Sequence, residues 1–220
     1  MIARFLPVFF TYFLVINFVL ADETEEVISV ASYIDSSELN ASPVDIISSQ
    51  EFKNLRVSTV AELSKYLSVA SGSHFQTNAL DGVDQGMSSI TLRGLDHAST
   101  LILINKKRQT HSGTPSNEGE GYIDVNIIPE IALERIEILK DGATSLYGSD
   151  AVAGVINFNT YRAFDGLRIS AASQKTSSYN QTDNSLGVLY GGNAFDGNFV
   201  VALSALNRSP LNASEIPKIA

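Results

Sequence analysis

The stretch IEILKDGATSLYGSDAVAGVINFNT, residues 136–160, decides the fold of this chain. At its start Ile136 and Ile138 alternate with Glu137, and this two-residue period is typical of a half-buried strand. Residues 155–158, VINF, form a second short apolar run. Because the two runs are close in sequence, we expect both strands to belong to one small sheet.

The residues between these two strands are turn formers. Asp141 and Gly142 predict a tight turn in which a positive φ is easily held, and residues 143–147 suffice for one helical turn. Gly148 and Gly154 supply backbone positions that a side chain would forbid. The whole stretch is therefore predicted as strand, turn, helical turn, turn and strand.

This part of the chain closely resembles the end of the plug domain of TonB-dependent outer-membrane receptors. An ordinary βαβ-like turn in a soluble α+β domain is the alternative. The resemblance implies an α+β plug domain, built on a small mixed sheet with short helices, followed by the first antiparallel strands of a truncated transmembrane β-barrel. The groups that occur in the family's order and spacing are Glu134-Arg135-Ile136-Glu137, Lys140-Asp141-Gly142, Leu146-Tyr147-Gly148 and Ala153-Gly154-Val155-Ile156-Asn157.

Composition excludes several classes of function. The 220 residues are 44% hydrophobic, which suits a folded core. Acidic residues outnumber basic ones by 24 to 15, giving a net charge of -9, so no nucleic-acid partner is expected. The absence of Cys excludes disulfides, thiolate metal sites and a cysteine nucleophile. No hydrolase, metalloprotease or P-loop motif occurs, so we do not expect an enzyme.

The N-terminus predicts export. Residues 1–21 have a basic start at Arg4, an apolar run and a small-residue pattern at residues 19–21, as in a secretory signal peptide. A retained membrane anchor is the alternative, although the apolar run is short against the roughly 20 residues that a helical span needs. In both cases the chain leaves the cytoplasm.

Residues 22–40 follow as an acidic segment that contains a short β-prone run. Such a run can add to the sheet edge of another protein through main-chain hydrogen bonds. In the resembled family this position carries the TonB box, which pairs with the TonB-type energy transducer in the periplasm. A first plug strand or a disordered leader is the alternative. The residues that fit the box loosely are Glu26, Val27, Ile28, Ser29 and Val30.

The plug is expected to occupy residues 41–163. Residues 44–47 predict a short strand, and residues 48–56 a polar connection. Residues 59–67 predict an amphipathic helix with a capping box, Thr59 with a Glu three positions on. Residues 89–95 predict the start of a strand, and the apolar run 101–105 predicts a strand buried on both faces.

The resemblance also implies where ligands and the barrel would be contacted. The polar loops of the plug face the extracellular side in this family and touch the substrate. The three His residues lack a metal-ligand spacing, so no metal site or cofactor is expected. The candidate substrate-facing residues are Asn78, Asp81, Asp84, Gln109, His111, Ser116, Asn117, Glu118 and Tyr122.

Two basic residues are candidates for contacts between plug and barrel. Basic residues at the positions of Arg93 and Lys140 contact glutamates on the inner barrel wall in the resembled family, and a charge held against a lumen needs a partner. A solvated surface charge is the alternative for each of them.

The character of the sequence changes in residues 164–220. Residues 167–172, 186–191 and 199–206 alternate apolar with polar or small side chains, which predicts three strands. A soluble sandwich would show similar alternation, but after a plug these strands resemble the start of a transmembrane barrel. Three strands cannot close, and an open edge in lipid leaves backbone groups unsatisfied. We therefore expect an N-terminal fragment of a receptor.

The resemblance implies a location and a function. The chain would reside in the outer membrane of a Gram-negative bacterium, in contact with lipid and with its N-terminus in the periplasm. It would take part in energy-coupled uptake of a scarce nutrient such as a ferric siderophore, cobalamin or an oligosaccharide. The alternative is a secreted or periplasmic ligand-binding module, or a non-functional relic of a receptor gene.

Overall fold

The computed structural model describes residues 44–55, 57–73, 86–113, 115–116, 119–175, 181–194 and 197–210. The predicted signal peptide, residues 1–21, and the candidate TonB box, residues 26–30, lie outside the described residues. Within the described ranges, no helix has both the length and the apolar character that crossing a membrane requires.

The first sheet has five strands in the spatial order β1-β4-β5-β2-β3. Strands β2 and β5 pair in parallel, and the other neighbouring pairs are antiparallel. The predicted pairing of the two strands in residues 136–160 is confirmed, as β4 with β5. The strands are β1 (Val44–Ser48), β2 (Thr100–Ile104), β3 (Lys107–Arg108), β4 (Leu133–Leu139) and β5 (Gly154–Thr160).

The second sheet is an antiparallel meander of three strands in the order β6-β7-β8. Its strands are β6 (Gly166–Lys175), β7 (Thr182–Ala194) and β8 (Gly197–Arg208), longer than those of the first sheet. The prediction of three strands in this part of the chain is confirmed.

Short helices connect these strands. The α-helices are α1 (Ser49–Asn54) and α2 (Thr144–Tyr147), so the predicted helical turn before Gly148 is confirmed. The 3₁₀ helices are Val60–Tyr66, His97–Ser99, Val125–Ile127, Glu130–Ala132 and Ser149–Ala151.

Both faces of the first sheet are covered by apolar side chains. The larger cluster includes Leu63 and Phe158, which are fully buried, and it packs the helix Val60–Tyr66 against the sheet. The opposite face holds a smaller cluster that includes Leu103 and Val155. Strand β2 is buried on both faces, as its continuous apolar sequence predicts.

Two predictions near the start of the plug are wrong in detail. Residues 48–56 are not a polar connection: they contain α1, because Ser48 caps the Glu51 amide and Phe52 is buried in the core. The helix after Thr59 is a 3₁₀ helix without a side-chain cap from Thr59. The carboxylate of Glu62 instead accepts from the amide of Ser58 at 2.8 Å.

The prediction that a strand starts in residues 89–95 is also wrong. In the structure this segment has one isolated bridge residue, Ser89, followed by a turn. Arg93 and Gly94 have φ of 59° and 66°, which a strand cannot contain. The backbone finds other partners: the Leu92 amide donates to the Thr100 hydroxyl at 2.9 Å, and the Arg93 amide donates to the Val69 carbonyl at 2.6 Å.

The positive φ expected at Asp141 or Gly142 occurs elsewhere. Neither residue has one, because β4 leads into α2 rather than directly into a hairpin. Instead Asn105 and Lys106, with φ of 51° and 67°, form the two-residue turn between β2 and β3. Positive φ at both positions is typical of the type I′ turn that suits strand twist.

Candidate functional site: the plug–strand interface

The loop residues named as substrate-facing candidates separate into two groups. Gln109 and His111 are partly or fully exposed, whereas Ser116 and Tyr122 are buried. The ring of Tyr122 lies edge-on to His97, with 6.5 Å between centroids. Gln109 and His111 therefore remain the better candidates for ligand contact. The other members, Asn78, Asp81, Asp84, Asn117 and Glu118, lie outside the described residues.

Arg93 and Lys140 lie close together and pair with acidic residues of the plug. The guanidinium of Arg93 donates to the Asp141 carboxylate at 2.8 Å and to the Lys140 carbonyl. The Lys140 ammonium lies 2.5 Å from the carboxylate of Asp45 on β1. Their side chains keep 42% and 29% of their exposure, so they can reach beyond the plug. The contact with a barrel wall stays a prediction.

Arg108, like Arg93, pairs with an acidic residue of the loop between β4 and β5, and the sequence did not predict this contact. Its guanidinium donates to the Asp150 carboxylate at 2.6 Å and to the carbonyl of Tyr147. The Ser149 hydroxyl, and after it Arg108, lowers the pKa of Asp150. Arg93 and Arg108 thus hold opposite ends of the loop between β4 and β5.

The 3₁₀ helix Glu130–Ala132 packs directly on the second sheet. A Cβ at Gly187 of β7 would lie 2.6 Å from the Ser170 hydroxyl of β6. It would lie 3.2 Å from both the Glu130 carboxylate and Ile131 Cβ, so the helix and Gly187 are in close contact. Leu189, on the same face of β7, is fully buried. Burial raises the pKa of Glu130. This face of β6–β8 is therefore the one that packs against the plug.

An ionic cluster joins the plug to the ends of β7 and β8. Arg208 donates to the Asp183 carboxylate from Nε at 2.9 Å and from Nη2 at 2.6 Å. The same Nη2 lies 3.4 Å from Glu62 of the plug. The three side chains are only 14–17% exposed. The ion pairs across the interface are therefore shielded from solvent and only weakly screened by salt.

We expect Arg208→Gln to lower the free energy of unfolding by about 2 kcal/mol, because the poorly solvated Asp183 carboxylate loses the cation that donates two hydrogen bonds to it. Glu62 loses the same cation but keeps Lys65. Urea unfolding of the full chain in detergent micelles measures this. Lys65→Gln is the matched control, since Lys65 pairs with the same Glu62 at 3.3 Å but is 51% exposed. An exposed pair contributes about 0–1 kcal/mol. Equal losses in both variants would contradict the interface role.

A second contact between the plug and the second sheet lies near the start of β6. Arg168 donates from Nη1 to the Tyr161 hydroxyl at 3.1 Å, and that hydroxyl donates to Ser49 of α1 at 3.0 Å. The guanidinium carbon lies 5.2 Å from the Tyr161 ring centroid and 4.9 Å from that of Phe164. These contacts orient the Arg168 guanidinium beside α1.

The described residues contain no group of three or more His, Asp or Glu side chains that could hold a metal ion. The site is thus defined by loops, ion pairs and a packed interface. Together with the fold, it describes a small α+β domain docked on the polar face of an antiparallel sheet.

Known proteins are similar to this chain in sequence and in fold. A family model described as the TonB-dependent receptor plug domain matches residues 37–155. The iron-regulated outer membrane virulence protein of Vibrio cholerae is 43% identical over 74 residues, 33% of this chain and 11% of the relative. The vitamin B12 transporter BtuB of Vibrio vulnificus is 29% identical over 157 residues, 66% of this chain and 25% of the relative.

Solved structures agree with these relatives. The siderophore receptor PirA from Acinetobacter baumannii superposes with a TM-score of 0.54 at 25% identity, over 74% of this chain and 24% of the receptor. The chain belongs to the TonB-dependent receptor plug domain family. It spans at most about a quarter of the length of these relatives.

Proposed function

We propose that the chain is the N-terminal part of a TonB-dependent outer-membrane receptor that imports a scarce nutrient, and that its plug gates the lumen of a barrel begun by β6–β8. The observation that carries this proposal is the direction in which the second sheet presents its apolar side chains. Membership of the plug domain family supports the assignment of the N-terminal part as a plug. The apolar face of the second sheet supports the assignment of β6–β8 to a membrane.

The face of β6–β8 that points away from the plug is apolar and exposed. Leu167, Tyr190 and Val201 lie side by side across the three strands, and Ile169 aligns with Leu203 through Val188. The exposed fractions of Ile169 and Leu203 are 62% and 66%. A contiguous exposed apolar face suits lipid rather than water.

The dimensions of the strands also suit a membrane. Strands β6, β7 and β8 have 10, 13 and 12 residues, and a tilted transmembrane strand needs roughly 9–11. The short turn between β7 and β8 would face the periplasm, and the connection between β6 and β7 the outside. The soluble binding module gains no support from such a face.

In this proposal the exposed loop residues Gln109 and His111 contribute contacts to an extracellular ligand: a ferric siderophore, cobalamin or an oligosaccharide. Two comparisons support the first two of these ligand classes, since one relative is named a vitamin B12 transporter and one solved neighbour a siderophore receptor. Pulling by the transducer on residues 26–30 would rearrange the plug, so transport proceeds without covalent chemistry.

The transducer contact can be tested on the full chain. Ile28→Pro is expected to lower affinity for the periplasmic domain of the TonB-type transducer from the same genome by more than tenfold, because proline removes an amide donor from the added strand. Ser37→Pro, in the same N-terminal segment but outside residues 26–30, is the control. Biolayer interferometry measures both.

Binding that is equally strong for the Ile28→Pro variant and the unchanged chain would contradict the assignment of the box. Fractionation tests the membrane setting separately. Recovery of the exported chain in the soluble periplasmic fraction, rather than with outer membranes, would contradict it.

A further inference from the structure

A cavity of about 1000 Å³ lies between the plug and the first strand of the second sheet. Helix α1 lines one side of it, through Ser49, Phe52 and Lys53, and β6 lines the other along residues 168–174. Glu130 also lines the cavity. The volume is at the upper end of the roughly 300–1,000 Å³ that is usual for small-molecule sites.

Two cations line this cavity without an acidic partner. Burial, and after it the charge of Arg168, lowers the pKa of Lys53. Both side chains line the same cavity, Lys53 from α1 and Arg168 from β6. In the ranges that the structure describes, neither Lys53 nor Arg168 has a carboxylate within salt-bridge distance.

Glu130 does not neutralise the pair. Among the residues that the structure describes, no ion pair joins the Glu130 carboxylate to Lys53 or Arg168. One carboxyl group lines the cavity beside two cations. The cavity therefore keeps an excess of positive charge at its α1–β6 side.

The Arg168 guanidinium is oriented before any ligand arrives. It lies over the rings of Tyr161 and Phe164, and one of its nitrogens donates to the Tyr161 hydroxyl. A guanidinium has five N–H donors, so others remain for a ligand. Its planar fork matches the oxygens of a carboxylate or a phosphate.

We propose that Lys53 and Arg168 form a binding site for a small molecule that carries two or more closely spaced oxyanion groups, carboxylate or phosphate. The inference rests on the proposed function, because a ligand that passes between plug and wall would meet this cavity. The Lys53 ammonium supplies a mobile charge, and the Arg168 fork supplies a fixed pair of donors. A neutral ligand of the same size would gain neither contact.

The test is isothermal titration calorimetry on the full chain in detergent micelles. Pyrophosphate and tricarballylate are the probes, and sucrose is the neutral comparison. Both anions are expected to bind, sucrose is not, and sodium chloride should weaken binding. Lys53→Gln and Arg168→Gln are each expected to lower anion affinity about tenfold, since a charged hydrogen bond is lost. A preference between the two anions assigns the site to phosphate or to carboxylate chemistry.

Arg162→Gln is the matched control, because Arg162 is an exposed cation that does not line the cavity. An equal loss of affinity in this variant would overturn the proposal by showing non-specific attraction. Unchanged affinity in Lys53→Gln would overturn it too; the Lys53 side chain lines the cavity but keeps enough exposure to solvent that this change should leave folding intact. Transducer binding and membrane fractionation do not depend on Lys53, so the failure of this site would leave the receptor assignment standing.

Discussion

Replacing Gly154 by alanine is expected to lower the free energy of unfolding by about 3–5 kcal/mol, a large part of the roughly 5–15 kcal/mol that holds a domain folded. Gly154 has a φ of 143°, which is accessible almost only to glycine. A Cβ there would lie 2.4 Å from the Leu139 carbonyl oxygen and 2.8 Å from a methyl group of Leu92. Strain and overlap both act at the first residue of β5.

The cost is large because the overlapping carbonyl cannot move freely. Leu139 ends β4, and Val155 pairs with it across the sheet. A shift that relieves the overlap must therefore separate β4 from β5, the pair around which the plug is built. Urea unfolding of the full chain in detergent micelles, followed by circular dichroism, measures the change.

Two other glycines separate the contributions. Gly86 has a φ of 84° with open space around it, so Gly86→Ala adds backbone strain alone, of about 1–3 kcal/mol. Gly113 has neither a positive φ nor a neighbour within 4 Å, so Gly113→Ala should be nearly neutral. If Gly154→Ala lowers the free energy of unfolding no more than Gly86→Ala does, the overlap of the new Cβ with β4 does not contribute to the loss, and the prediction is wrong.

The sequence predicts the local elements of this fold better than it predicts their partners. The alternation at residues 136–138 and the apolar run at 155–158 locate β4 and β5, because the buried face of a strand is visible in the spacing of its own apolar residues. The parallel insertion of β2 beside β5 leaves no local signal, since it depends on the whole sheet. The wrong strand at 89–95 shows the same limit, as its backbone bonds go to distant residues such as Thr100.

The interface was the least predictable part. Glu62 and Arg208 are 146 residues apart, and only the docking of plug and sheet brings them together. Lys53 and Arg168 likewise line one cavity only because tertiary packing places α1 beside β6, and α1 was itself predicted as a connection. By contrast, the alternation in residues 167–172 and 199–206 predicts which side chains lie on each face of the second sheet.

The second large effect is expected at a buried charge in the plug. Glu137 of β4 is fully buried, yet its carboxylate accepts from Arg135 Nε at 2.9 Å and from the Asn157 side-chain amide at 3.2 Å. Arg135→Met keeps most of the apolar stem but removes the cation. We expect a loss of about 3 kcal/mol, because a fully buried carboxylate that loses the cation at 2.9 Å loses favourable charge pairing that water cannot replace.

A double-mutant cycle identifies the cause of that loss. Glu137→Gln removes the charge while keeping hydrogen-bonding groups, so the double variant Arg135→Met/Glu137→Gln should be more stable than Arg135→Met alone. Glu134→Gln is the control, because Glu134 lies 3.9 Å from the same Arg135 but is 45% exposed. An exposed pair contributes about 0–1 kcal/mol. If Glu137→Gln does not rescue Arg135→Met, lost packing of the arginine stem, and not the buried charge, explains the effect.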